Sequence, residues 1–172
     1  PSIPQLQQSQ TISDPLRRSE GNPDLKASYD NSFRIRYNSF NTEKQRSMML
    51  MFNANYTLNS IVSATFFDSE GIQVTKPVNE NGAWNIWSMF LTNMPFKNKK
   101  FSFNNFTSFG CNRQIGFTNA SRNISMNYNI NERLEFVYSN SFGDIRIGGN
   151  GGYQRTKNSI QSSRNQNTFD YG

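Results

Sequence analysis

The sequence predicts an all-β fold, an antiparallel up-and-down meander of long strands, and three observations support this prediction. Apolar and polar residues alternate with period two over runs much longer than the usual strand of about five or six residues. The connections between these runs are alternately short and long. Aromatic residues reach 14% although only 34% of residues are hydrophobic and mean hydropathy is -0.74. This composition indicates exposed aromatic surface rather than an aliphatic core.

The clearest alternation lies in residues 46–67. Its even positions are apolar with few exceptions, as at Leu50 and Phe52, while its odd positions are mostly amides and hydroxyls, as at Asn53. The same parity continues through residues 122–138. A slip of one residue would exchange the two faces, so the unbroken parity predicts two long strands, each with a fixed register.

The remaining strands are predicted from shorter runs of the same kind. Residues 29–40 place Phe33 and Ile35 on one side and Arg34 and Arg36 on the other. In residues 83–94 both the even and the odd positions carry apolar side chains, so the orientation of that strand stays open. A plug or a β-bulge would explain apolar side chains on both faces. Further strands are predicted at 100–115 and 143–160, with a seventh beginning at Phe169.

The connections indicate a membrane setting. Short turns at 41–45, 95–100 and 139–144 alternate with long polar loops at 68–82, 112–121 and 161–168. Short turns at one end and long loops at the other are the layout of an outer-membrane β-barrel. Strands survive in lipid only in a closed barrel, with apolar side chains outward and polar ones inward, so Arg34 and Arg36 would face the lumen. Aromatic residues near the predicted strand ends fit interfacial girdles: Trp84, Trp87, Phe96, Phe101, Tyr138 and Phe142.

We interpret residues 1–28 as an extracellular-side loop and residues 29–172 as a partial β-barrel of about six strands plus the start of a seventh. Barrels of this type normally have at least eight strands. The sequence is therefore expected to be an internal fragment, an open and incomplete part of a transmembrane barrel.

Several segments carry a resemblance to a known family. The stretches at 2–7, 14–41, 74–82, 95–104 and 153–172 together resemble the C-terminal barrel region of TonB-dependent outer-membrane receptors, within the outer membrane protein beta-barrel family. The motif "GNPDLK" stands where that family has it, in the loop before a strand that descends to the periplasm. It comprises Gly21, Asn22, Pro23, Asp24, Leu25 and Lys26.

The resemblance implies a large barrel of about twenty-two strands with an N-terminal plug. Such a receptor imports scarce nutrients, for example metal chelates, oligosaccharides or peptides, with energy relayed from the inner membrane. The implied partners are outer-membrane lipid, an energy-transducing inner-membrane complex acting through upstream parts, and a substrate-binding surface lipoprotein. No nucleic-acid partner is expected, because the 18 Lys and Arg residues are scattered rather than gathered into a stripe.

Catalysis is not expected. The chain has no His and a single Cys, which excludes the usual triads, imidazole metal sites and an intrachain disulfide. Cys111 is predicted to be a small apolar residue rather than a nucleophile. Five acidic residues fall in loops or turns, with nothing to bring two of them into a buried site: Asp14, Glu20, Asp24, Asp30 and Glu43. The spacing of Asp68, Glu70 and Glu80 matches no dedicated calcium loop. We therefore predict a protein that is not an enzyme and has no catalytic residue, cofactor or metal.

Two features have competing interpretations. Arg34 and Arg36 could contact an anionic substrate inside the lumen, or could simply belong to a solvated wall. The "GGNGG" stretch at 148–152 looks like a phosphate loop, but it lies inside a strand and no Lys-Ser/Thr pair follows. A bend in the strand, or close approach by a plug or neighbouring backbone, explains it better.

A soluble β-sandwich, as a carbohydrate-binding or adhesive surface module, is the alternative. A sandwich predicts strands of about five to eight residues that share an aliphatic core. An adhesive array predicts a repeat of fixed length, and none is found. The long strands with an Asn- and Ser-rich face favour the barrel.

Overall fold

A computed structural model describes residues 1–7, 10–14, 16–119, 121–160 and 164–172. These residues form one short helix and eleven strands, joined in a single sheet. Their bounds are α1 Ile3–Leu6, β1 Gln10–Asp14, β2 Arg17–Glu20, β3 Tyr29–Asn41, β4 Arg46–Leu58, β5 Ser60–Phe67, β6 Gln73–Glu80, β7 Ala83–Pro95, β8 Phe101–Thr118, β9 Ser121–Asn140, β10 Gly143–Asn158 and β11 Gln166–Tyr171.

The main wall is a continuous antiparallel meander of seven of these strands. Neighbours pair in the order β3, β4, β7, β8, β9, β10 and β11. The sheet is open, because β3 and β11 end this path without pairing with each other. The predicted all-β antiparallel meander of long strands is thereby confirmed.

The prediction of one strand over residues 46–67 is wrong at a single position. Asn59 adopts a left-handed backbone conformation, with φ of 51°, and divides the run into β4 and β5. Asn is one of the few side chains that tolerate this region, so the alternation continues on both sides of the break. β5 turns away from the wall to pair with β6.

The predicted loops are also shorter than expected. Residues 68–82 contain β6, a polar strand with a central proline, which is held by β5 on one side and β2 on the other. The predicted loop 112–121 is mostly strand, because β8 runs to Thr118 and β9 begins at Ser121. Position 120 and residues 161–163 of the two predicted loops lie outside the described residues.

Residues 1–28, interpreted from the sequence as an extracellular-side loop, contain α1, β1 and β2. β2 pairs in parallel with β6, and β5 pairs in parallel with the end of β8 at Ala64 and Phe117. These elements therefore extend the sheet at the end of the wall that carries the long connections.

Cross-strand register divides the wall into two faces. We call the face that carries Phe52 the outward face and the face that carries Asn53 the inward face. One outward row runs Ile35, Phe52, Ser88, Phe109, Ile130 and Tyr153. The adjacent inward row runs Arg34, Asn53, Trp87, Gly110, Asn129 and Gln154.

The outward face is apolar and uncovered. Phe33 is 59% exposed, Phe136 55% and Ile147 71%, and within the described residues no second sheet packs on them. Only five hydrophobic residues of the described part are buried: Leu25, Val74, Cys111, Ile115 and Val137. A sandwich would instead bury this face against a second layer, whereas a membrane barrel exposes it to lipid.

Register also settles the orientation of the strand at 83–94, which was open from the sequence. Trp84 lies outward, between Tyr56 and Arg113, and Trp87 lies inward, between Asn53 and Gly110. Pairing of β7 runs without interruption on both sides, so a bulge does not explain the apolar character of both parities. In the described part of the chain, no helix has the length and apolar character needed to cross a bilayer.

Candidate functional site

The inward wall is lined by amides that bond to one another across strands. Asn104 links two neighbours: its Oδ1 accepts from Asn93 Nδ2 at 2.5 Å, and its Nδ2 donates to Glu135 Oε2 at 2.9 Å. The Arg146 guanidinium approaches the same Glu135 carboxylate at 3.9 Å. This ladder crosses four strands, from β7 to β10.

A second ladder lies nearer the long-loop end. Asn127 Nδ2 donates to Asn112 Oδ1 at 2.9 Å, and Asn127 Oδ1 accepts from Thr156 Oγ1 at 2.8 Å. Asn131 Nδ2 donates to Ser108 Oγ at 3.2 Å. A side-chain amide that makes one or two hydrogen bonds to neighbouring strands still has a free donor or acceptor, so this wall can contact water and polar solutes.

The two predicted lumen arginines lie on the inward face of β3. Arg34 pairs in register with Asn53, and Arg36 with Met51. Both side chains are exposed, and within the described residues neither makes a hydrogen bond or ion pair. Their contact with an anionic ligand stays a prediction.

An apolar strip interrupts the polar inward wall. Its members face inward from β4, β7 and β8 and are Met49, Met51, Trp87, Met89, Leu91 and Phe106. The sequence signal for it was the apolar character of both parities in residues 83–94. The inward wall therefore offers an amide-rich surface beside a thioether and aromatic surface, which suits solutes with both polar and apolar parts.

The "GNPDLK" motif docks on β6. Asn22 Nδ2 donates to the carbonyl oxygen of Pro77 at 2.9 Å, and the Asn22 side chain accepts from the amide of Asp24 at 3.1 Å. Leu25 is buried, at 8% exposure. A Cβ on Gly21 would overlap the carbonyl oxygen of Gln7, so this position requires glycine. The contacts of the motif are structural: they fasten the chain before β3 to the β5–β6 hairpin.

Asn79 is the centre of this attachment. Its Oδ1 accepts from the amide of Lys26 at 2.7 Å, while its Nδ2 donates to the carbonyl oxygens of Lys26 at 3.0 Å and Asn59 at 2.9 Å. One side chain thus joins the motif, β6 and the left-handed residue between β4 and β5.

Replacing Asn79 with Ala is expected to lower the free energy of local opening of the motif by about 1 kcal/mol, because three partly exposed hydrogen bonds are exchanged for bonds to water. Amide hydrogen exchange at Lys26 should rise about fivefold, while exchange at the centre of β4 stays unchanged. Asn31→Ala is the matched control, since Asn31 makes one long bond, at 3.5 Å to Tyr56. Unchanged exchange at Lys26 in Asn79→Ala would contradict this role.

The glycine run at 148–152 lies within β10 and forms no phosphate loop, because it is paired in register with β9 throughout. Gly148 and Gly152 lie on the inward face. A Cβ on Gly148 would come within 2.7 Å of the Leu134 carbonyl oxygen, and one on Gly152 would overlap the Asp170 carboxylate. These two positions permit close approach of neighbouring strands.

A cluster of polar side chains lies on the outward face where β8 pairs with β9. Glu132 pairs in register with Thr107, and its carboxylate accepts a hydrogen bond from the Asn105 amide. Asn105 Oδ1 also accepts from Thr107 Oγ1 at 3.3 Å. The sequence did not indicate this cluster, because its members come from two strands and meet only through their register.

In the described part of the chain, no group of three His, Cys, Asp or Glu side chains could hold a metal ion. Cys111 is a free thiol, buried on the outward face between Ile86 and Tyr128.

The sequence profile of the outer membrane protein beta-barrel family matches residues 1–171. No curated protein and no solved structure matches the chain. The match covers nearly the whole chain and agrees with the open antiparallel wall and its exposed apolar face. The chain belongs to the outer membrane protein beta-barrel family, and its place is the outer membrane.

Proposed function

We propose that this chain is part of the barrel wall of a TonB-dependent receptor that takes up a nutrient across the outer membrane. The observation that carries the proposal is the chemistry of the inward face. It bears amide ladders and two arginines, Arg34 and Arg36, that make no ion pair with the described residues. These groups suit a water-filled lumen and not a barrel packed with its own side chains.

The partners follow from this proposal. Outer-membrane lipid surrounds the outward face, an energy-transducing complex of the inner membrane drives uptake, and a substrate-binding surface lipoprotein delivers the nutrient at the long-loop end. Arg34 and Arg36 contact anionic parts of the solute, and the amide ladders contact its hydroxyl or amide groups.

The test is uptake by cells that lack the gene. The deletion strain should lose growth on one class of scarce nutrient, and the wild-type gene should restore that growth. Uptake by wild-type cells should stop when an uncoupler removes the inner-membrane proton gradient. A deletion that leaves uptake of metal chelates, oligosaccharides and peptides unchanged would contradict the proposal, as would uptake that continues without the gradient.

A further inference from the structure

The outward face of β10 changes its chemistry from one end to the other. From the short-turn end it presents Ile145 and Ile147, then Gly149 and Gly151, and then Tyr153. Above them come two cations, Arg155 and Lys157. Apolar, aromatic and basic residues thus follow the order that acyl chains, interface and phosphate have in a lipid leaflet.

The depth of the cations matches that order. Arg155 lies ten residues along β10 from Ile145, which pairs with Tyr138 near the short-turn end. At about 3.4 Å per residue and a tilt of about 40°, this places Arg155 about 26 Å above Ile145. The apolar band of such barrels is about 25 Å tall. If Ile145 marks its inner boundary, Arg155 lies at the outer boundary and Lys157 just beyond it.

In the described part of the chain these two cations have no polar partner, while two basic neighbours are engaged. Arg113 Nη1 donates to the Gly82 carbonyl oxygen at 2.6 Å, and Arg122 forms an ion pair with Glu80 at 3.2 Å. Arg155 and Lys157 are exposed, and within the described residues their side chains make neither ion pair nor hydrogen bond. The pair therefore presents uncompensated positive charge at the lipid boundary.

An apolar groove leads up to this pair. A Cβ on Gly149 or Gly151 would meet protein atoms only at 3.6 and 3.9 Å, so the packing of this chain does not require glycine there. The missing side chains leave a groove between Ile147 and Tyr153. At its upper end the Tyr153 ring packs against Phe169 at 4.8 Å between centroids. The carboxylate of neighbouring Glu132 is turned toward Asn105 on β8, on the side of β9 away from the groove.

We propose that Arg155 and Lys157 bind the phosphate of a phosphorylated glycolipid of the outer leaflet, with one acyl chain in the groove over Gly149 and Gly151. Phosphate bridges two cations well, and each basic residue near a membrane surface contributes to anionic lipid binding. This site is independent of the proposed transport role, because it uses only the outward wall of the barrel.

The test is lipid binding by the intact barrel in nanodiscs of a neutral phospholipid, with lipid A as the probe and dephosphorylated lipid A as its neutral counterpart. Arg155→Gln and Lys157→Gln should each weaken lipid A binding about fivefold, and the double variant about thirtyfold. The counterpart should bind all variants equally. The control is Lys97→Gln with Lys99→Gln, which removes the same charge in a short turn and should leave lipid A binding unchanged.

Two further arms separate the contributions to the site. Gly151→Leu should fill the groove and weaken lipid A binding with both cations present, and inorganic phosphate should not displace the lipid at comparable concentration. Arg155→Lys should retain most of the binding, which separates loss of charge from loss of fold. Equal losses in the control double variant, unchanged binding in the Arg155 and Lys157 double variant, or full displacement by inorganic phosphate would each overturn the proposal.

Discussion

Replacing Phe52 with Arg is expected to destabilise the folded barrel by about 2–4 kcal/mol, the cost of a charge on the lipid face near the bilayer midplane. Phe52 lies at the centre of β4, on the outward face, and its ring packs edge-on against Phe33 at 6.3 Å between centroids. Arginine at this position would place its guanidinium in hydrocarbon and would also remove the aromatic contact.

The neighbouring residue supplies the control. Asn53→Arg introduces the same charge one position along β4, but on the inward face beside Arg34 and Trp87. Its cost is expected to be only repulsion from Arg34 in a hydrated lumen. The measurement is urea unfolding of the intact barrel in lipid vesicles, followed by tryptophan fluorescence. Equal destabilisation by the two substitutions would contradict the assignment of the faces.

Replacing Asn105 with Leu is expected to destabilise the barrel by about 1–3 kcal/mol, because the Glu132 carboxylate would lose its hydrogen-bond donor within the apolar band. Adding Glu132→Leu should recover most of this loss, since an apolar pair of side chains suits lipid better than one unpaired carboxylate. The two substitutions should therefore be strongly coupled, as measured by a double-mutant cycle of unfolding free energies in vesicles.

A matched pair on the inward wall serves for comparison. Asn104→Leu removes a donor from Glu135, but that carboxylate also has Arg146 nearby at 3.9 Å and faces the lumen. Its loss should cost less than the loss of Asn105. If the effects of Asn105→Leu and Glu132→Leu simply add, the account of a mutually satisfied pair in lipid fails.

Much of the fold could be predicted because a membrane wall imposes a strict period of two. The alternation around Leu50 and Phe52 predicted both where strands lie and which side chains share a face. The structure keeps that register from β3 to β11. The break at Asn59 was not predictable, because a left-handed residue leaves the alternation on either side intact.

Features that depend on distant pairing were also missed. β6 is polar and contains Pro77, and it forms a strand because β5 and β2 pair with it. The docking of "GNPDLK" depends on Asn79, which lies more than fifty residues away in sequence. The Asn105 and Glu132 pair likewise exists only through register. The apolar strip was signalled in residues 83–94, but its members on β4 and β8 join it only through register. Local alternation cannot show which residues meet across strands.

The contrast between the two tryptophans tests the central claim most directly. Trp84 lies outward beside Tyr56, and Trp87 lies inward beside Asn53, three residues away on the same strand. Fluorescence of the Trp87→Phe variant, which retains Trp84, should be strongly quenched by lipids brominated high on the acyl chain. The Trp84→Phe variant, which retains Trp87, should be insensitive to these lipids and quenched by aqueous iodide. Equal quenching of both variants by brominated lipid, or a Trp84 reached only by iodide, would contradict an outward face in lipid and an inward face in water.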